Sequence, residues 1–106
     1  MPAIIKKRET CLEVKEVKQL IELKEKLTII DVRSKEEFDQ THIPNAINIP
    51  LQNLSQTIPN LDKNYQYITA CGKGGGRSTE GAKLLAAANF KANWLCGGTH
   101  KWLETN

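Results

Sequence analysis

Short apolar runs alternate along the chain with segments in which apolar residues recur at helical spacing. The nearly continuous apolar run at 28–32 predicts a strand in the middle of a parallel sheet, because such strands are buried on both faces. Aromatic and β-branched residues at 65–69 predict a second buried strand. A last strand is predicted at 93–96, a short edge strand at 10–12, and a turn followed by a strand between two prolines at 43–50.

Helical segments are predicted between these strands. Residues 14–27 carry apolar side chains close to one helical face. Ser34 is typical of a helix N-cap, with Glu37 as its capping-box partner three residues later. The remaining helical segments are predicted near 51–56, 78–88 and 99–103. Strands that are separated by helices favour an α/β fold in which a parallel sheet is covered on both faces.

Length and composition limit the classes of protein that fit. The chain has 106 residues, 40% of them hydrophobic, and we expect one domain over 1–106 with an N-terminal extension at 1–9. The net charge is +3, but no basic segment of the sequence is interleaved with aromatic residues. We therefore expect no nucleic-acid partner. The N-terminus lacks the apolar segment of a secretory signal, and no apolar run is long enough to cross a bilayer. We therefore expect no membrane contact.

The cysteines give a prediction about redox state. Cys11, Cys71 and Cys96 are scattered, odd in number and without any CxxC pair. This spacing is not that of a disulfide framework or a zinc site, and it fits a reducing, cytoplasmic environment. We therefore expect no bound metal and no structural disulfide.

The segment after the strand at 65–69 has the strongest chemical signal in the chain. Cys71 is followed by a glycine-rich loop that contains Lys73 and Arg77, and then by a helical segment. In such a turn, backbone N–H groups and the positive end of the helix dipole face the loop, which favours a thiolate and binds anions. Glycine lets the backbone curl around an anion, because it tolerates positive φ and has no Cβ. We therefore expect Cys71 to be a nucleophile.

Five motifs together resemble a single-domain rhodanese, in the order and at the spacings of that family. They are Ile29-Ile30-Asp31-Val32-Arg33, Glu36-Glu37-Phe38, His42 to Pro50, Cys71 with its loop, and Leu95-Cys96-Gly97-Gly98 with Trp102. The resemblance covers the chain from about residue 10 to the C-terminus. It implies a three-layer α/β fold with a central parallel five-stranded sheet flanked by helices.

The resemblance also implies an activity, that of a sulfurtransferase. In such an enzyme Cys71 cycles between thiolate and persulfide and moves a sulfane sulfur from a donor to an acceptor. The expected donor is a small anion such as thiosulfate, or a protein persulfide, and the expected acceptor is a thiol or cyanide. The residues expected to bind the substrate are Gly72, Lys73, Gly74, Gly75, Gly76 and Arg77. No organic cofactor is implied.

The length of the loop leaves a second activity open. Sulfurtransferase rhodaneses usually have four residues between the cysteine and the position of Arg77, whereas this chain has five. The longer loop resembles that of phosphatases and arsenate reductases of the same fold, in which arginine binds a tetrahedral oxyanion bidentately. Three observations favour sulfur transfer: Ala70 where those enzymes usually have histidine, a loop without a carboxylate, and a Cys-x-Lys-Gly start at 71–74. A non-catalytic interaction module is disfavoured, because such members typically lack the cysteine.

Other residues of the motifs are expected to have structural roles near the site. Asp31 and Arg33 lie at the end of a predicted buried strand. We expect them to form an ion pair that orients the neighbouring loops. His42 is expected to hydrogen-bond in a turn, because persulfide chemistry needs a thiolate and no separate base. Cys96 is a possible second thiol that takes sulfur or forms a disulfide with Cys71, or else an apolar filler of the core.

Asparagine replaces a glycine of the family pattern at two turns. Asn45 follows the His42 motif, and Asn89 follows the helix predicted at 78–88. Asparagine tolerates the left-handed backbone conformation better than other non-glycine residues, so both positions are compatible with these turns.

Overall fold

A computed structural model of the protein describes residues 11–73 and 75–105. Within these residues, five parallel strands form one sheet in the order β1-β5-β4-β2-β3. The strands are β1 (Cys11–Leu12), β2 (Leu27–Asp31), β3 (Ile47–Asn48), β4 (Gln66–Ala70) and β5 (Ala92–Leu95). The helices are α1 (Val14–Glu22), α2 (Lys35–Gln40), α3 (Leu51–Thr57), α4 (Gly76–Ala87) and α5 (Gly98–Glu104), with a 3-10 turn at Ile58–Asn60. The α/β fold with a parallel five-stranded sheet is therefore confirmed, whereas the predicted extension at 1–9 lies outside the described residues.

The sheet separates two apolar clusters, because successive side chains of a strand point to opposite faces. Ile68 and Ala70 of β4 belong to the cluster that also contains residues of α1 and α5. Tyr67 and Cys71 belong to the cluster on the other face, which contains residues of α3 and α4. This alternation places the Cys71 side chain on the α4 side of the sheet.

Helix α4 packs closely against β4 at Gly81. A Cβ atom added at Gly81 of α4 would lie 3.2 Å from Cγ2 of Thr69 and 3.3 Å from Cγ1 of Val32. A side chain at position 81 would therefore require these neighbours to move by a few tenths of an ångström. The glycine holds the N-terminal end of α4 near the end of β4, where Cys71 lies.

Helix α1 is shorter than the predicted segment 14–27. It ends at Glu22, and Lys24 adopts a left-handed conformation with φ of 61°. Leu23 is one of the apolar residues of the predicted helical segment, but it is 64% exposed. The apolar pattern therefore does not correspond to burial at this position. None of the helices in the described part of the chain is long and apolar enough to span a membrane.

The predicted turn and cap residues are confirmed. Asn45 and Asn89 have φ of 70° and 71°, in the left-handed region that asparagine tolerates. Ser34 caps α2: its hydroxyl accepts a hydrogen bond from the N–H of Glu37 at 3.2 Å, and the Glu37 carboxylate accepts one from the N–H of Ser34 at 3.1 Å. The capping box fixes the position of the Glu37 side chain, which matters for the site described below.

A disulfide joins Cys11 and Cys96, so the expectation of a chain without disulfides is wrong. Strands β1 and β5 are parallel neighbours, with Cys11 opposite Trp94, and the Cα atoms of the two cysteines lie 5.0 Å apart. Cys96 is therefore not a second thiol and does not bond to Cys71. Spacing along the sequence did not reveal the pair, because the β1–β5 contact joins residues 85 positions apart. The cytoplasmic location inferred from unpaired cysteines loses that support.

Candidate active site

Cys71 directly follows β4, the central strand of the sheet, at the carboxyl end where parallel sheets concentrate their chemistry. It is a free cysteine, and the residue is only 5% exposed. The loop after it leads into α4, whose first residue is Gly76. Gly75, just before the helix, has φ of 125°, a conformation that favours glycine. Gly74 lies outside the described residues.

The first turn of α5 holds the start of the loop through its backbone. The N–H of Thr99 donates to the carbonyl of Cys71 at 2.7 Å, and the N–H of His100 donates to the carbonyl of Gly72 at 2.9 Å. Gly97, which precedes α5, has φ of 77°, and a Cβ atom there would lie 2.5 Å from Cβ of Lys101. The Gly-Gly pair of the last motif therefore allows a tight turn that brings α5 against the cysteine loop.

Ser78 is the hydrogen-bond partner of the cysteine, a role that the sequence pattern did not predict. The Cys71 thiol donates to Oγ of Ser78 at 3.3 Å. The Ser78 hydroxyl donates in turn to the carbonyl of Gly75 at 3.0 Å, and Thr69 of β4 donates to the Ser78 carbonyl at 2.6 Å. Ser78 is fully buried. It therefore ties the thiol, the loop and the central strand together. A hydroxyl residue in the first turn of the helix after the loop was the signal that could have indicated this role.

The two cations of the loop lie in different environments. Lys73 is exposed. Arg77 forms a bidentate ion pair with Glu37 of α2, with Nη1 at 2.8 Å from Oε1 and Nη2 at 3.3 Å from Oε2. Both side chains are partly exposed, at 45% for Arg77 and 41% for Glu37. In this structure a carboxylate of the same chain therefore takes the donor pair between the two terminal nitrogens of Arg77.

This ion pair shifts the pKa values of both partners. The pKa of Glu37 is lowered to about 2, first because Arg77 donates hydrogen bonds to it and then because Ser34 does. The pKa of Arg77 is raised, chiefly because Glu37 accepts its hydrogen bonds, with smaller contributions from the charges of Glu37 and Cys71.

Asp31 and Arg33 form a second ion pair, which is buried. Nη2 of Arg33 lies 2.8 Å from Oδ2 of Asp31, and the two side chains are 4% and 1% exposed. Nη2 of Arg33 also donates to the carbonyl of Thr41 at 2.7 Å, at the end of α2. His42 lies next to this point and stacks on Phe38, with ring centroids 3.8 Å apart. These contacts hold α2, and with it Glu37, beside the cysteine loop.

An open cleft of about 480 Å³ borders Arg77. Its lining is mixed, with apolar groups beside charged and polar ones: Val32, Ser34, Lys35, Glu36, Pro50, Leu51, Gln52 and Arg77. Its volume is in the range of small-molecule sites in proteins, and Cys71 is not among the residues that line it.

Comparison with known protein sequences finds related proteins named for sulfur chemistry. The family model "Rhodanese-like domain" matches residues 13–105. The Bacillus subtilis protein "Putative sulfurtransferase YtwF" is 34% identical over 96 residues, which cover 86% of this chain and 92% of that protein. "Putative sulfur carrier protein YrkF" from the same organism is also 34% identical, over 74 residues that cover 70% of this chain and 40% of that protein.

Solved structures share the fold. The rhodanese-like domain protein from Staphylococcus aureus is 31% identical and superposes with a TM-score of 0.78, covering 88% of this chain and 90% of that one. The rhodanese-related protein from Thermoplasma volcanium is 25% identical, with a TM-score of 0.79 and coverage of 90% and 91%.

Proposed function

This chain belongs to the rhodanese-like domain family, and we propose that it is a sulfurtransferase that carries sulfur on Cys71. The observation that carries the proposal is the setting of this cysteine: a free thiol at the end of the central strand, hydrogen-bonded to Ser78 at 3.3 Å and followed by a loop that leads into the N-terminus of α4.

With thiosulfate as donor, the Cys71 thiolate attacks the outer, sulfane sulfur. The sulfur–sulfur bond of thiosulfate breaks, sulfite leaves with the bonding electron pair, and Cys71 becomes a persulfide. An acceptor thiolate or cyanide then attacks the outer sulfur of the persulfide, and the Cys71 thiolate leaves. The products are a persulfide of the acceptor thiol, or thiocyanate. Both steps are substitutions at sulfur, and the charges balance without an external oxidant or reductant.

The residues of the site have distinct roles in this scheme. Ser78 can donate its hydroxyl proton to the thiolate once the thiol proton has gone, because hydrogen bonds to charged groups are the stronger ones. The N-terminus of α4 and the loop N–H groups stabilise the negative charge of the thiolate and of the persulfide. Lys73 is exposed and lies two residues after Cys71, and its positive charge attracts an anionic donor.

A second candidate function follows from the length of the loop. Five residues separate Cys71 from Arg77, as in the phosphatases and arsenate reductases that the loop resembles. The pairing of Arg77 with Glu37 argues against this function, because the carboxylate takes two of the five guanidinium N–H groups and an oxyanion at the remaining ones would lie beside a negative charge.

The two functions are separated by measuring two activities side by side. We expect thiosulfate-dependent production of thiocyanate from cyanide, and no hydrolysis of an aryl phosphate above the background of the Cys71→Ser variant. Loss of thiocyanate production in Cys71→Ser would assign the activity to this cysteine, since serine cannot form a persulfide. Phosphate hydrolysis that depends on Cys71, without thiocyanate production, would overturn the sulfurtransferase proposal.

A further inference from the structure

The Glu37 carboxylate is held firmly in front of Arg77. Besides the two hydrogen bonds from the guanidinium, Glu37 accepts hydrogen bonds from both the N–H and the hydroxyl of Ser34, each at 3.1 Å. The capping box therefore anchors the carboxylate to the start of α2. Because the pKa of Glu37 is about 2, the carboxylate is ionised at neutral pH. Swinging it away from Arg77 would break several charge-assisted hydrogen bonds at once.

This arrangement is unfavourable for a small tetrahedral dianion. Such an ion is best bound by a bidentate arginine, and here the N–H pair between the two terminal nitrogens of Arg77 donates to Glu37, which leaves the donors at the sides of the guanidinium. A dianion near Arg77 would also meet the negative charge of Glu37. Thiosulfate, phosphate and arsenate share this shape and charge, so the penalty applies to all three.

The same arrangement is favourable for a donor with an organic group. The cleft beside Arg77 has a volume of about 480 Å³, far more than thiosulfate fills, and Val32, Pro50 and Leu51 give part of its wall an apolar surface. An organic persulfide, R–S–SH, has a reacting end without a tetrahedral dianionic group, and its R group has room in this cleft.

We propose that Glu37 is a specificity-determining residue: by holding Arg77 it directs the site towards organic persulfide donors and away from tetrahedral dianions. This inference rests on the proposed sulfurtransferase function. In the transfer step the Cys71 thiolate attacks the outer sulfur of R–S–SH, the donor S–S bond breaks, and R–S⁻ leaves. The outer sulfur keeps its proton and becomes bonded to the sulfur of Cys71, which gives the Cys71 persulfide. Atoms and charge therefore balance.

The test compares Glu37→Gln with the wild type. The two donors are thiosulfate and N-acetylcysteamine persulfide, whose organic group is uncharged, and the rate at which Cys71 gains one sulfur is followed by mass. We expect Glu37→Gln to speed the reaction with thiosulfate about fivefold, which is the scale of a partly exposed ion pair. The reaction with the organic persulfide should change less than about twofold. Glu22→Gln removes the same charge at an exposed position of α1, which packs on the face of the sheet opposite Cys71, and it should change neither rate.

Two further variants test whether Glu37 acts through Arg77. In an Arg77→Ala background the additional Glu37→Gln change should have no effect on the preference between donors, because the group that Glu37 restrains is gone. An effect of equal size in both backgrounds, or an equal change of both donor rates in Glu37→Gln alone, would overturn the inference.

A binding measurement keeps this inference separate from the proposed function. Phosphate should protect Cys71 from alkylation at an about fivefold lower concentration in Glu37→Gln than in the wild type, whether or not sulfur is transferred. If no variant gains sulfur from any donor, the sulfurtransferase proposal fails. If phosphate protects both proteins equally, the role of Glu37 fails.

Discussion

The hydroxyl of Ser78 lies 3.3 Å from the sulfur of Cys71, so the thiol is held by the helix that follows the loop. The same hydroxyl donates to the Gly75 carbonyl at 3.0 Å and lies 3.3 Å from the Gly75 N–H, which donates to it. The position of the Cys71 thiol and the conformation of the loop therefore both depend on the buried side chain of Ser78.

Replacement of Ser78 by alanine should slow the reaction of Cys71. A hydrogen bond to a charged group contributes about 1.5–3 kcal/mol, so we expect the alkylation rate at neutral pH and the rate of persulfide formation to fall at least about tenfold. The control is Thr79→Ala, which changes the next residue of the same helical turn and should stay within about twofold of the wild type. Equal rates in Ser78→Ala and the wild type would show that the hydroxyl does not support the thiolate.

The buried ion pair between Asp31 and Arg33 should matter for stability. In Asp31→Asn the buried guanidinium loses its charge partner, and we expect the free energy of unfolding to fall by about 3–5 kcal/mol in urea denaturation. Asp39→Asn is the matched control. It breaks a pair with Lys35 in which the side chains are 77% and 56% exposed, and it should cost less than about 1 kcal/mol. Equal losses in the two variants would contradict a specific role for the buried pair.

The Cys11–Cys96 disulfide predicts how many thiols react before and after reduction. It also predicts that reduction changes the free energy of unfolding. Denatured, unreduced protein should take up one equivalent of an alkylating reagent, at Cys71, and three after reduction. Reduction should lower the free energy of unfolding by about 2–4 kcal/mol, because the bond closes a long loop. In a Cys11→Ser/Cys96→Ser double variant the reductant should have no such effect. Three reactive thiols before reduction would show that the bond is not formed.

The pH dependence of the Glu37–Arg77 pair has a defined direction. The pKa of Glu37 is about 2 in the folded protein and 4.5 as the ordinary value, so the pair stabilises the fold above about pH 4.5. This contribution is lost as the pH falls from 4.5 through 2, and it is small because both side chains are more than one-third exposed. An NMR titration of the Glu37 side chain should have its midpoint near 2, and the midpoint should rise in Arg77→Ala. A midpoint near 4.5 in the wild type would show that the pair does not form in solution.

The sequence predicts the parts of this structure that depend on local pattern. The aromatic run at 65–69 falls on the central strand β4 and the apolar run at 28–32 on its neighbour β2, and Ser34 with Glu37 forms the expected capping box. Hydrophobic periodicity and capping act between neighbours in the chain, so they are visible without the fold.

Apart from the nearby contact of Ser78 with Cys71, the features that the sequence did not predict depend on contacts between distant segments. Glu37 pairs with Arg77 across 40 positions, and Cys11 bonds to Cys96 across 85. The sequence predicts Glu37 as a capping-box residue. That role gives no indication that its carboxylate also pairs with Arg77. Only the order of strands and the docking of α2 beside the loop bring such partners together.

The most direct test of the account is the mass of Cys71 after exposure to a sulfur donor. We expect wild-type protein that is incubated with thiosulfate or an organic persulfide and then desalted to carry one additional sulfur atom on the peptide that contains Cys71. Cyanide or dithiothreitol should remove this atom, and Cys71→Ser should not gain it. A Cys71 that gains no sulfur from either donor, while phosphate or arsenate protects it from alkylation, would contradict the central claim that this thiol carries sulfur.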